Sequence, residues 1–352
     1  MDKTSPKYLQ AEKWIKNAIK QHKIDNKLPG ERVLAKDLGM SYMTVRKAID
    51  SLVEQGYLYR LPAKGTFVAD RKAKAKLPTK NIGYFLDNSI KDGLTSPYYS
   101  LIFNALEKET GRRGYALLYF SNLNEANASK SLKKVDGVIA SCFPRIEHIV
   151  QDIKQIVPVV VIDNASFDKS IPSVIIDNFN AVADSIHRLC SLGHKRIGFM
   201  MGLRDSDVGN NRLAGYEFAL RNHKIALQDE LIFKGDYSYQ SGIEGADELL
   251  SLSNPPTAIM CANDSMALGA MKEASRLGLR VPEDVSIIGF DDISVASQII
   301  PPLTTVAPPI AQIAATAVDL LDNLIQGNHP ENQHIALRAE LKERGTSCEP
   351  KQ

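Results

Sequence analysis

Short apolar runs alternating with stretches of helical periodicity organise most of this chain. IGYFL from Ile82, ALLYF from Ala116, GVIAS from Gly137, PVVVID from Pro158, RIGFMM from Arg196, AIMCAND from Ala258 and DVSIIGFDD from Asp284 each read as a buried strand. Between them lie stretches with apolar residues at helical spacing. Strand then helix, repeated, predicts an α/β fold with parallel sheets covered on both faces. The units suffice for two such sheets. A chain crossing between two sheets leaves a cleft at the carboxyl ends of the strands, where α/β proteins bind ligands.

The first 70 residues carry a different pattern. Tyr8, Ala11, Ile15, Ala18 and Ile19 form an inward stripe on a helix from about Lys7 to Gln21. A second helix, from about Glu31 to Leu38, offers Val33, Leu34 and Leu38 to the core and stops at Gly39, the residue expected just past a helix C-terminus. Ser41 then caps a third helix that begins at Tyr42. Its buried stripe is Val45, Ala48, Ile49, Leu52 and Val53, which leaves Tyr42, Met43, Arg46, Lys47 and Asp50 on the other face. After Gly56, Tyr57 to Leu61 reads as a strand, Pro62 to Gly65 as a turn and Thr66 to Val68 as a returning strand. Three helices around one core with a two-stranded wing are the layout of a DNA reader, whose third helix enters the major groove by its N-terminal residues.

Charge sharpens this picture. The chain has 352 residues and a net charge of +2, but residues 1 to 80 hold 18 Lys and Arg against 8 Asp and Glu, leaving 25 against 33 for the remainder. A net +10 at the front favours a polyanionic partner, with affinity that depends steeply on salt. Residues 71 to 80, RKAKAKLPTK, lack apolar periodicity and read as a basic linker. Cys142, Cys190, Cys261 and Cys348 are too widely spaced for a CxxC pair or a zinc site; the first three read as core thiols. No apolar run is long enough to span a membrane and MDKTSPKY lacks a signal-peptide core, so a cytoplasmic location is expected.

LPGERVLAKDLGMSYMTVRKAIDSLVEQGYL with a trailing KGTFV resembles the winged helix-turn-helix of GntR-family bacterial regulators, over about residues 5 to 70. The resemblance implies a DNA-binding domain at 1–70 followed by the linker at 71–80. It places DNA contacts on Arg32, on Ser41, Tyr42, Met43, Thr44 and Arg46 of the recognition helix, and on Lys64, Gly65 and Thr66 of the wing. Gly30 stands where the family usually has serine, and Tyr42 and Met43 stand where its recognition helix is usually rich in arginine, so no operator sequence is implied. The alternative use of such a winged helix is protein contact.

The strands of the second module end in Asp87, Asp163, Asn263 with Asp264, and Asp291 with Asp292; Arg212 in NNRLAGY and Tyr237 in GDYSYQSG add one guanidinium and one aromatic face. Carboxylates, an amide and a single planar cation around an aromatic suit a neutral polyhydroxy ring. The competing reading of an aspartate after a strand is a helix N-cap. Asp264 and Asp292 read as structural, and His194 as a turn or packing residue. SLGHKRIGF, NRLAGYEFAL, PPTAIMCANDSMALGAM, LGLRVPEDVSIIGFDD and PPLTTV resemble the LacI/GalR-type regulators, whose two-lobed sensor is similar to periplasmic sugar-binding proteins. That resemblance implies an effector-binding domain at 81–345, with contacts on Asp87, Asp163, Arg212, Tyr237, Asn263 and Asp291 and with Val208 and Pro308 lining the pocket.

The two modules together imply a dimeric repressor, similar in composition to the arabinose repressors, that binds double-stranded operator DNA and a small sugar effector, with no cofactor and no membrane partner. The competing hypotheses are an enzyme using the cleft carboxylates and a sugar-binding transport protein. Against the first, the chain has no Walker loop, no GxGxxG after a strand, no HExxH and no GxSxG.

Overall fold

Helical and strand periodicity resolve into two separate units, Met1–Pro78 and Thr79–Gln352. The computed structural model describes the chain apart from residues 1–5, 21–22, 25–26, 55–56, 62–64, 69–77, 89, 91, 124–127, 142–146, 204–205, 329–330, 332 and 352. Gly56, the Pro62–Lys64 part of the wing turn, most of the basic linker and Cys142 therefore lie outside the described residues.

The first unit packs α1 (Lys7–Lys20), α2 (Glu31–Leu38) and α3 (Tyr42–Glu54) beside the antiparallel pair β1 (Leu58–Leu61) and β2 (Gly65–Val68). Ile15, Leu34, Val45, Ile49, Leu52 and Leu58 form its core. Gly39 ends α2 at φ 61°, a left-handed cap that L side chains rarely adopt. Val33 is a correction to the apolar pattern: it is 55% exposed, and Ala35 takes the inward position beside Leu34. At 100° per residue the burial stripe of this two-turn helix falls on 34, 35 and 38, and the stripe is too short for sequence to fix its phase.

The second unit has two parallel sheets. The first runs β4 (Ala116–Phe120), β3 (Asn81–Phe85), β5 (Gly137–Ser141), β6 (Val159–Ile162), β7 (Ser173–Ile176) and β13 (His334–Leu337) in spatial order. The second runs β9 (Ile232–Lys234), β8 (Ile197–Met201), β10 (Ala258–Cys261), β11 (Ser286–Phe290), β12 (Thr304–Ala307) and β14 (Glu340–Lys342), the last antiparallel. The first lobe is clothed by α4 (Pro97–Arg112), α5 (Ala128–Leu132), α6 (Glu147–Lys154) and α11 (Ile310–Ile325). The second is clothed by α7 (Asn178–Ser191), α8 (Asp207–Asn222), α9 (Tyr239–Leu250) and α10 (Asp264–Arg276). The chain crosses between lobes after β7, after β12 and after β13, so carboxyl ends of strands from both lobes meet at one cleft.

Residues 344–348 strap the second lobe. Thr346 donates to Ile287 O at 2.6 Å, and Arg344 pairs with Asp292 at 2.6 Å. His194 is buried in this strap, bonded through Nδ1 to Thr257 and through Nε2 to Cys348 O, each at 2.8 Å. Its ring nitrogens are both committed to packing.

Candidate DNA-binding head and ligand-binding cleft

The N-terminus of α3 is built by Ser41, whose Oγ accepts from Thr44 N at 3.2 Å and pairs with Thr44 Oγ1 at 2.8 Å. Those bonds make Ser41 and Thr44 the cap of the helix. The outward face carries Tyr42, Met43 and Arg46, all exposed. Arg46 Nη1 donates to Tyr42 Oη at 3.3 Å, with its guanidinium 6.0 Å from the ring centre, so Tyr42 steadies the cation on the helix surface. Arg60 in β1 reaches Asp50 at 2.6 Å and Glu31 at 3.0 Å and ties the wing to both helices of the turn. Arg32 is exposed at the start of α2, and Gly65 and Thr66 begin β2. Gly65 has φ 109° beside the Lys27 side chain, a left-handed position suited to glycine. Lys64 lies outside the described residues.

In the second unit, Arg212 is 5% exposed on α8. Its Nε donates to Asn178 Oδ1 at 2.8 Å, Nη1 donates to Ala262 O, and the guanidinium sits 3.5 Å from the Phe290 ring centre. Asp291 follows Phe290 directly and is buried; burial pushes its carboxyl well above the ordinary range, opposed by the nearby Arg212 charge. Asp163, from the other lobe, accepts from Tyr98 Oη at 2.8 Å, and burial raises its carboxyl too. Its second oxygen and the Tyr237 hydroxyl are buried polar atoms with no hydrogen-bond partner among the described residues. Asp163, Asp291 and Arg212 lie close enough for their charges to act on one another, and both carboxylates, after burial itself, raise the hydroxyls of Tyr98 and Tyr99. Residues from both lobes therefore converge on one polar, aromatic-lined place.

Backbone strain gathers there as well. Asp163, Tyr237 and Asp291 have φ of 70°, 68° and 112°, each costing of order 1–3 kcal/mol in a residue with a side chain. The Tyr237 ring lies against Gly202, where a Cβ would stand 2.0 Å from the ring. Asn263 is held by the fold: its Oδ1 caps α10 by accepting from Met266 N, and its Nδ2 donates to Tyr237 O, each at 2.9 Å. Asp87 is buried at the end of β3 and acts on the Tyr119 hydroxyl, which its charge raises after burial does. Val208 is half-buried and Pro308 buried. Asp264 accepts from Ile293 N at 2.8 Å and from the Thr305 hydroxyl, and is wholly internal. Sequence reasoning missed Tyr98, Tyr99 and Asn178. The available signal for the two tyrosines was Pro97, a helix-opening residue that puts Tyr98 and Tyr99 in the first turn of α4.

Among the described residues no group of three or more His, Cys, Asp or Glu side chains is placed to hold a metal ion, and no helix is long and apolar enough to cross a membrane.

Residues 7–68 match the family of bacterial regulatory proteins called gntR, and residues 186–347 match a periplasmic binding protein-like domain. The chain is 34% identical over 262 residues to the transcriptional repressor CytR of Escherichia coli, spanning 72% of this chain and 76% of the relative. It is 33% identical over 275 residues to the repressor PurR of Salmonella paratyphi B, spanning 76% and 79%. A crystal structure of a LacI-family regulatory protein from Chloroflexus aggregans is 30% identical, with a TM-score of 0.69 over 76% of this chain and 99% of that one. The chain belongs to the LacI family of bacterial transcription regulators. Its head is of the gntR type, so this LacI-family sensor works with a winged reader. The protein is a DNA-binding regulator with a ligand-binding domain.

Proposed function

We propose that the protein is a dimeric repressor of sugar-utilisation genes whose operator affinity is set by a sugar in the cleft. Arg46 with Tyr42 and Met43 would read the operator, and Arg32, Lys64, Gly65 and Thr66 would hold its backbone. In the cleft, Asp163, Asp291 and Arg212 would bind hydroxyls of the sugar, with Asp87 and Tyr237 at its edges and Asn263 shaping the wall. The observation carrying this reading is the meeting of Asp163 and Asp291 from opposite lobes around a single, stacked guanidinium. Two acceptor carboxylates and one cation satisfy a neutral polyol, whereas a phosphate needs a surplus of donors. A ligand touching both lobes biases the closed sensor, and a head on each protomer transmits that bias to a two-fold operator.

A thermal-shift screen of the full-length protein against neutral sugars, sugar phosphates and nucleosides tests the ligand class, since a ligand of the native state alone raises the melting temperature. A rise with neutral sugars alone supports the proposal; a rise only with the other classes removes it. Light scattering at micromolar concentration tests the dimer.

A further inference from the structure

The recognition helix exposes a methionine near its N-terminal end. Met43 is 68% exposed at the second position of α3, while Met200, Met201, Met260 and Met266 are buried and Met40 and Met271 half-buried; no other methionine among the described residues is exposed. Tyr42 beside it is 38% exposed, and its hydroxyl is engaged with Arg46. Met43, Arg46 and Lys47 are helix neighbours at i, i+3 and i+4. Lys47 turns toward α1, its Nζ 4.5 Å from the Tyr8 ring centre. The outward N-terminal surface of the helix is therefore an apolar, polarizable thioether next to a steadied guanidinium.

In the major groove the one apolar feature of a base-pair edge is the thymine 5-methyl group, and apolar side chains read it by contact. A thioether arm has no donor with which to read N7, O6 or O4 and is only a weak acceptor for the N4 or N6 amino groups, while its three rotatable bonds let it follow a methyl group closely. We infer that Met43 reads a thymine methyl, with Arg46 on a base about one or two pairs away, the distance spanned by three residues of helix rise of about 1.5 Å each. The inference rests on α3 being the DNA-reading helix. It gives the operator a requirement that no hydrogen bond supplies: a methyl group at one position of each half-site.

The test begins by selecting an operator from random duplex DNA with the full-length protein, then replaces each thymine singly by deoxyuridine, which deletes the methyl and keeps the pairing. One position per half-site is expected to lose roughly three- to fivefold in wild-type affinity, the worth of one buried methyl. Met43→Ala is expected to bind the thymine operator that much more weakly and to be indifferent to deoxyuridine there. Met43→Arg, selected afresh, is expected to replace the thymine by guanine, which arginine reads through O6 and N7. A flat deoxyuridine scan on a selected operator, or a Met43→Ala protein that keeps the wild-type sensitivity, overturns the inference alone. Failure to enrich any duplex overturns the DNA-reading role as well. Both variants change an exposed side chain, so the head keeps its core.

Discussion

The guanidinium of Arg212 lies 3.5 Å from the centre of the Phe290 ring, immediately before Asp291 in the chain. Buried as it is, that stack is worth about 2 kcal/mol, and it fixes the plane of the fork. Asn178 and Ala262 O hold the same group from the α7 and β10 sides.

Arg212→Lys is expected to abolish the response to effector while operator binding without effector stays near wild type, because an ammonium can neither stack nor fork. The same variant should lower the sensor's stability by roughly 1–3 kcal/mol, since Asn178 and Ala262 O lose a charged donor. Calorimetry showing wild-type effector affinity in Arg212→Lys would place the pocket elsewhere.

Tyr98→Phe removes the donor to Asp163 and leaves the ring in place. Effector affinity is expected to fall by about five- to tenfold, a loss of roughly 1–1.5 kcal/mol, with no change in operator affinity of the unliganded protein. Titration calorimetry on the variant gives the comparison; equal affinities would take Tyr98 out of the cleft.

Asp264 yields a pH prediction. Burial pushes its carboxyl up to about 7, against hydrogen bonds from Thr305 and Ile293 that pull it down. The native state thus binds this proton more tightly than the unfolded chain, whose aspartate titrates near 3.9. Its contribution is complete below about pH 4 and is lost as pH rises through about 7. Asp264→Asn, which keeps an acceptor for Ile293 N, is expected to flatten the fall in melting temperature between pH 5 and pH 8. Parallel curves for variant and wild type would show that Asp264 does not titrate there.

Arg46→Ala is expected to cost about 1–3 kcal/mol on the selected operator and to relax preference at one position. Lys64→Ala should weaken all duplexes alike and reduce the salt slope by about one. A gel-shift series in which Arg46→Ala binds as wild type does would remove α3 from the groove.

Much of this was legible because two periodicities rarely coincide by chance. The strands from IGYFL to DVSIIGFDD lie where their apolar runs stand, and Ser41, Gly39 and the Val45–Leu52 stripe lie where capping and burial rules put them. Strands β7, β9, β12, β13 and β14 escape the sequence pattern, being three or four residues long, with β13 and β14 at sheet edges and β14 largely polar. Val33 reads as inward from sequence because a two-turn helix has too few apolar residues to fix its phase. In the cleft, strand-end position pointed to Asp163 and Asp291, but the left-handed backbone at both, and the role of Asn263 as a helix cap tied to Tyr237, depend on partners distant in sequence. Tyr98 and Tyr99 were hidden because, in a helix start, they look like core residues.

Coupling between the cleft and the head is tested most directly by operator affinity measured with and without saturating sugar. Fluorescence anisotropy of the selected operator on the full-length protein is expected to show a sugar-dependent change of about 5- to 150-fold in Kd. By linkage, the operator should change the sugar's affinity by the same factor. A sugar that binds the cleft with its affinity unaltered by operator, and leaves operator affinity unaltered in turn, would contradict the account.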